Sequence, residues 1–416
     1  MIVFTNAKVF DGVSDALERV NVTVTGERIS AVSAAPPDPG AEAIDCGGRV
    51  LMPGLIDAHV HVYAYDLNVT RAQHLPMTMI AHHAANMLRD CLDRGFTTVR
   101  DTAGADFGLS LAIQLGLIQA PRLYFCGRAL SQTGGHLDMR HQHHHHHHDD
   151  EVVMCGCSFA NPLGWVVDGV DAVRKATREE LRRGASFIKF TGSGGISTTS
   201  DPLEGTQFSD EEVRAIVEEV ENHQVYCTAH IHPDRALKRA VRLGVHCIEH
   251  GTLIEPDTAA MAAEAGTSIV PTLAVMAALV EHGRELGYPD ESLAKLDMVK
   301  DEAVDRLRHM KSAGVRVGFG TDLIGAPLQK MQCTEFGLRK PVFSNFEILR
   351  QVTGMNAEIL DASGDIGEIT EGAYADILVV DGNPLEDLKV LESDGADIPV
   401  VMKGGEFHRN WLGGEL

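Results

Sequence analysis

His59 and His61 stand two residues apart in Asp57-Ala58-His59-Val60-His61, directly after the apolar run from Val50 to Ile56. Residues i and i+2 of a strand project to one side, so the two imidazoles face one point. That is what a metal ion requires of neighbouring ligands. An isolated pair of this kind arises easily by chance. Here further donors follow in order, each where an apolar run stops. They are Lys189 in Ile188-Lys189-Phe190, His230 after Cys227-Thr228-Ala229, His250 after Ile248-Glu249, and Asp322 after Gly318-Phe319-Gly320-Thr321. Taken singly, any of these histidines reads as a structural or solvated residue. Six donors in this order point to metal-assisted hydrolysis.

Lys189 carries a second clue. A lysine inside an apolar strand is costly to bury in its charged form. A desolvated amine stays neutral, and a neutral amine takes up carbon dioxide to form a carbamate. That anion has two oxygens and can bridge two cations.

The elements that position these residues alternate. Strand-like runs are expected at 56–61, 97–101, 122–127, 187–191, 225–230, 246–250, 268–272 and 316–322. Amphipathic helical patterns lie between them at 173–184, 210–222, 235–244, 258–266 and 296–314, several ending at glycine as helix C-termini prefer. Eight βα units predict an α/β fold, a (β/α)8 TIM barrel with its active site at the C-terminal strand ends. Both ends of the chain read instead as short strands and turns, at 3–10, 20–25 and 28–32 and again at 375–381 and 399–404. We therefore expect a small β-sandwich domain from residues 1–56 and 363–416, around a barrel domain of residues 57–362.

The chain has 416 residues, 44% hydrophobic and 23% charged, which suits a globular protein with a large core. Its net charge of -23 argues against nucleic acid or an anionic membrane as partners. No run is long enough to span a bilayer, and the first ten residues lack the pattern of a signal peptide. The eight cysteines are scattered and read as reduced thiols, so a cytoplasmic location is expected.

Seven segments together resemble the amidohydrolase superfamily, in the cluster around imidazolonepropionase-related proteins and Xaa-Pro dipeptidases. They are residues 47–61, Ser131-Gln132-Thr133-Gly134-Gly135-His136, Val167-Asp168-Gly169-Val170-Asp171, Ile188-Lys189-Phe190, Ile248-Glu249-His250-Gly251, Gly318–Asp322 and residues 372–384. The second and third point to the prolidase-type branch. The resemblance implies that His59, His61 and Asp322 hold one divalent ion, that His230 and His250 hold another, and that carbamylated Lys189 bridges them. Zinc is the default metal for such ligands. The resemblance further implies a hydroxide nucleophile, and Asp322 as the base that passes its proton to the leaving amine. A homo-oligomer acting on a small molecule or dipeptide is implied as well. His136 is a candidate for binding or polarising the carbonyl; the plainer alternative is a histidine stabilising the Gly134-Gly135 turn.

Several positions depart from that pattern. Relatives often carry a tyrosine two residues after the fifth-strand ligand, where it helps hold a substrate carboxylate. Here the position is His232. Arg140, Lys330, Arg339 and Lys340 are cationic candidates for a carboxylate clamp, each also explicable as a surface charge. The histidine-rich tract 141–148, with Cys155 and Cys157 beyond it, reads as a solvated low-complexity loop, with an accessory metal site or lid as the alternative. His82-His83 reads as helix surface, and Gly192–Gly195 as room for metal and substrate. The expected activity is cleavage of an amide next to a carboxylate, an Xaa-Pro dipeptide first. Alternatives are a carboxypeptidase on Xaa-Arg/Lys or N-acyl amino acids, or a hydrolase of an amide-linked xenobiotic or toxin. A one-metal deaminase or ring opener has no need of Lys189, and a catalytically dead barrel would not need all six ligands.

Overall fold

A computed structural model of the chain describes residues 1–68, 75–139, 162–199 and 201–412. Arg140, the histidine-rich tract 141–148, Cys155 and Cys157 lie outside the described residues.

Parallel strands position the candidate site. Leu55–Val60 pairs with Phe96–Asp101, and that strand with Arg122–Phe125. A second sheet runs in the order Gly164–Val166, Ala129–Ser131, Ile188–Thr191, Cys227–Pro233, Cys247–Leu253 and Ser268–Val270, parallel throughout. Most of these residues are buried on both faces, which is why the runs read as continuous apolar stretches rather than alternating ones. The strands at 129–131 and 164–166 were not expected.

The expected strand at 316–322 is not regular. It makes one parallel bridge, Val317 to Ile269, and donates from Asp322 N to His59 O at 2.8 Å. Further backbone bonds run from Gly318 N to Ile269 O (2.8 Å) and from Ala58 N to Phe319 O (2.9 Å), and side chains supplement them. Phe319 N donates to Asn356 Oδ1 (3.0 Å), Asn356 Nδ2 donates to the carbonyls of Ile56 and Phe319, and Thr321 N donates to Asp57 Oδ1 (3.2 Å). Gly320 permits the approach, because a Cβ there would come within 2.7 Å of His59 Cβ.

Helix Asp210–Asn222 falls where its pattern placed it, opened by a capping box between Ser209 and Glu212. Val170–Arg182, Asp234–Arg242 and Pro256–Ala265 shift by one to three residues at their ends. The single helix expected at 296–314 is instead two, Asp290–Asp297 and Ala303–Ala313. Leu296, Val299, Ala303, Leu307 and Met310 are all buried and keep helical spacing across the break, so periodicity alone hides it.

The chain ends form two further sheets. One orders Arg28–Ser33, Asn21–Thr25, Ile2–Thr5 and Glu42–Asp45. The other orders Glu406–Asn410, Val400–Lys403, Ile377–Val380, Val50–Pro53 and Lys8–Val9, joining both termini. Val22 and Val24 are buried while Asn21 and Thr23 are half-exposed, as strand alternation requires. With Phe4, Leu51, Ile377, Val379 and Val400 they form an apolar core separate from the main one. Each such side chain contributes roughly 1.5–3 kcal/mol by burial. Six cysteines among the described residues are free and buried. No helix among them is long and apolar enough to cross a membrane.

Candidate functional site

The structure brings His59, His61 and Asp322 together. His59 Nε2 lies 3.3 Å from His61 Nε2 and 3.3 Å from Asp322 Oδ1, and His61 Nε2 lies 3.1 Å from the same oxygen. The other ring atoms are spoken for. His59 Nδ1 donates to Glu249 Oε2 at 2.7 Å, and His61 Nδ1 to the carbonyl of Ala103 at 3.2 Å. Both Nε2 atoms therefore present lone pairs to a carboxylate oxygen. Three acceptors facing one another repel unless a cation sits among them. Tetrahedral coordination with metal–nitrogen bonds of about 2.0–2.1 Å gives ligand separations of about 3.3 Å, so the spacing fits a metal ion. Without one the position draws in a proton. Burial alone would lower the pKa of His59, but Asp322 and Glu249 outweigh it and raise the value. Burial works in the opposite sense on Asp322, and His59 overrides it, holding the carboxyl well below its ordinary range.

A second donor group adjoins the first. His250 Nε2 and His230 Nδ1 are 2.9 Å apart, and His250 Nδ1 is held at 2.8 Å by Thr272 Oγ1. His230 Nε2 is buried and has no hydrogen-bond partner among the described residues. Burial and the neighbouring imidazoles keep both rings neutral, the form that binds metal. His232 joins this group, its donor atom within 4.8 Å of those of His230 and His250, with Nδ1 2.9 Å from Thr252 Oγ1. Burial pushes its pKa down to about 3. Lys189 lines the same cavity. Burial lowers its pKa against the pull of Glu249 and Asp322, which favours the neutral amine.

Two of these residues have unusual backbones. His250 has φ 73° and Asp322 φ 53°, the left-handed region that non-glycine residues seldom occupy. Such strain persists where surrounding structure over-determines it, and it clusters at functional sites.

Sequence reasoning missed the residues that hold the donors. Glu249 is fully buried between His59, Thr228 Oγ1 and Arg100, whose Nη2 lies 2.7 Å away. Burial would raise its pKa, but Arg100 and His59 lower it strongly. Asp57 receives Thr321 Oγ1 (2.7 Å) and Gln332 Nε2 (2.9 Å), tying the His59 strand to Asp322. Glu249 stood inside a motif already singled out; strand alternation would send it away from His250, yet both side chains reach His59, the His250 backbone being left-handed.

The donors open into a cavity of about 820 Å³, counting its mouth. Its apolar wall includes Leu137, Met139, Leu163, Val275, Met276 and Leu279. His136 also lines it, stacked on His230 with ring centroids 4.2 Å apart. It does not stabilise the Gly134-Gly135 turn, which is closed by Asp138 and Gln132. Its Nδ1 instead faces Thr198 Oγ1 (2.9 Å) and Asp201 Oδ2 (3.3 Å). Asp168, from the third motif, holds the loop by accepting from Thr133. Gly195 makes room for His136, since a Cβ there would overlap the imidazole.

The clamp candidates fare differently. Arg339 is not a loop cation at the cavity. It lies fully buried at the end of helix Thr334–Arg339, bound to Glu335 and to the carbonyls of Gly318 and Pro271. Lys340 pairs with Glu392 at 2.6 Å, Lys330 is exposed, and neither lines the cavity. His82 is exposed as expected, but His83 is half-buried and bound to Gln329, which donates to His61 O.

A model of the amidohydrolase family matches residues 50–407. The chain belongs to that family. This amidohydrolase is 42% identical to another amidohydrolase of known crystal structure, with a TM-score of 0.95 over 99% of this chain and 100% of the other. It is equally 42% identical to a prolidase solved in complex with N-methylphosphonate-L-proline, with a TM-score of 0.93 over 98% and 99% of the two chains. Ochratoxinase of Aspergillus niger is 31% identical over 367 residues, 86% of this chain and 76% of that protein. The chain is thus a prolidase-like amidohydrolase, a hydrolase of amide or peptide bonds. Its histidine clusters could bind metal.

Proposed function

We propose that this amidohydrolase uses two divalent ions, zinc first, to cleave an amide bond next to a carboxylate, with Xaa-Pro dipeptides as the leading substrates. The observation that carries the reading is the set of facing acceptors His59 Nε2, His61 Nε2 and Asp322 Oδ1, 3.1–3.3 Å apart and all lining one cavity. Likeness to a prolidase bound to a proline phosphonate supports the dipeptide.

On this reading His59, His61 and Asp322 would hold one ion, His230 and His250 the other, with carbamylated Lys189 between them. Such ions, when bound, supply Lewis acidity and bring the ionisation of water near neutral pH. The chain's own groups do the rest. Asp322 Oδ1 faces the two imidazoles, which leaves Oδ2 to accept a proton from water and return it to the leaving nitrogen. His136, with Nδ1 engaged, offers Nε2 to the substrate's carbonyl or carboxylate. His232 and Arg140 are the further candidates for holding that carboxylate. The apolar wall takes the remainder of the substrate and excludes water.

The scaffold on this reading is a (β/α)8 barrel over residues 57–362, with a small β-sandwich domain from residues 1–56 and 363–416. The backbone bonds from residues 319–322 to 58–59, and the separate apolar core of the terminal sheets, support it.

A second reading keeps the site and changes the acyl part to that of an N-acyl amino acid or an amide-linked toxin. The apolar wall and the likeness to ochratoxinase favour it. An Xaa-Arg/Lys carboxypeptidase is less favoured, since Asp322 is the one acidic residue lining the cavity among those described. The test is a panel of L-Xaa-L-Pro, L-Xaa-L-Arg/Lys and N-acyl amino acids incubated with zinc-loaded enzyme. Selective proline release is expected. Release only from N-aryl-acyl amino acids would transfer the assignment to the second reading.

A further inference from the structure

The support of His136 comes from a distant part of the chain. Beyond strand Ile188–Thr191 the chain forms a loop carrying Gly195, Thr198 and Asp201. Asp201 is buried at the centre of that loop. Its Oδ2 accepts from Gly195 N (3.0 Å) and Gln207 Nε2 (3.3 Å) and faces His136 Nδ1, while its Oδ1 accepts from the Thr198 hydroxyl.

Lys295 closes the arrangement. It projects from helix Asp290–Asp297, nearly a hundred residues later, with its side chain 14% exposed. Its Nζ donates to the carbonyls of Gly195 (2.9 Å), Thr198 (2.7 Å) and Asp201, and lies 3.3 Å from Asp201 Oδ1. An ammonium has three hydrogens to give, and here the loop supplies at least that many acceptors. Tyr288 adds a second tie from the same region, its hydroxyl 3.0 Å from Ser197 Oγ. Without the lysine, the carbonyls of Gly195, Thr198 and Asp201 would lose the donor they share. Any loosening would reach the cavity directly, because His136 packs against Gly195 and bonds Thr198 and Asp201.

We propose that Lys295 and Asp201 are positioning residues for amide hydrolysis: they lock this loop and through it aim His136 Nε2 into the cavity. The proposal rests on the reading of His136 as a substrate-binding group.

The test pairs a structural readout with a double-mutant cycle, both on the metal-loaded full chain. Lys295→Met keeps the stem and removes the ammonium. Hydrogen exchange in a peptide covering residues 193–199 should become faster, with metal content unchanged. On the amide hydrolysed fastest in the panel, kcat/KM should fall about 10- to 100-fold. In a His136→Ala background the same substitution should change kcat/KM by less than about twofold, because its effect passes through that ring. Unchanged exchange, or an equal loss in both backgrounds, would overturn the proposal. Should Lys295→Met fail to fold, the isosteric Asp201→Asn enters the same cycle with the same expectations. Silence of the wild type on every amide, with faster exchange in Lys295→Met, would overturn the proposed substrate and still support the lock. Full activity of His136→Ala would overturn both roles.

Discussion

His59 Nδ1 and Glu249 Oε2 lie 2.7 Å apart, with both side chains sealed from solvent. This one bond fixes which imidazole nitrogen carries the proton and so which one is free for a metal. Arg100, on the far side of Glu249, supplies the charge that keeps the carboxylate ionised. Such carboxylate–histidine pairs orient ligands and raise their basicity.

Glu249→Gln preserves size and removes the charge. Metal affinity should fall about 10- to 100-fold, measured by chelator competition. Arg100 would be left buried with its charge uncompensated, so chemical denaturation should show a loss of about 3–5 kcal/mol. Wild-type affinity in this variant would remove Glu249 from the account of the site.

Lys189→Ala tests the bridging ligand. Activity should drop by at least about a hundredfold, in keeping with the several kcal/mol that metal-assisted stabilisation contributes. Added bicarbonate or a short carboxylic acid should restore a part of it. Full activity without such additives would end the carbamate proposal.

Gly195→Ala places a methyl group where the His136 ring lies. The ring must move, and a displacement of about 1 Å can cost on the order of a hundredfold in rate. Metal content, measured by elemental analysis, should stay at the wild-type level because the added methyl meets His136 and not a donor residue. A variant as active as wild type would show that His136 is not needed where it sits.

Asp201 gives a pH signature. Burial raises its pKa, but His136, Thr198 and Lys295 override this and hold the carboxyl well below its usual range. A lowered folded-state value means the unfolded chain takes up the proton first as pH falls. The stabilisation is therefore complete above about pH 4, the ordinary aspartate value, and is lost on further acidification. The melting-temperature advantage of wild type over Asp201→Asn should be constant from pH 7 to 5 and narrow below 4. An advantage that grows on acidification would contradict the assignment.

The six donor candidates could be read from sequence because each ends an apolar run, and strand geometry sends alternate side chains to one face. The segment 316–322 was read as a strand for the same reason. Its ladder is interrupted because Phe319 N turns to Asn356 Oδ1 and Thr321 N also donates to Asp57 Oδ1, and neither partner lies near it in sequence. Arg339 misled in the opposite direction. An arginine between helix and loop looks like surface charge, and only packing reveals that it pins the carbonyls of Pro271 and Gly318.

By itself the sequence determined that most of the chain is parallel strands alternating with helices, the six metal-ligand candidates and the superfamily they resemble. All of these rest on local periodicity and on residue type at the ends of runs. The tertiary structure alone decided which nitrogen of each histidine is free, that Glu249 and Arg100 stand behind His59, and that Lys295 braces the loop holding His136. These depend on contacts between residues up to 190 positions apart, as for His59 and Glu249. No local pattern encodes such a pairing, because it forms only when separate strands and helices are packed into one core.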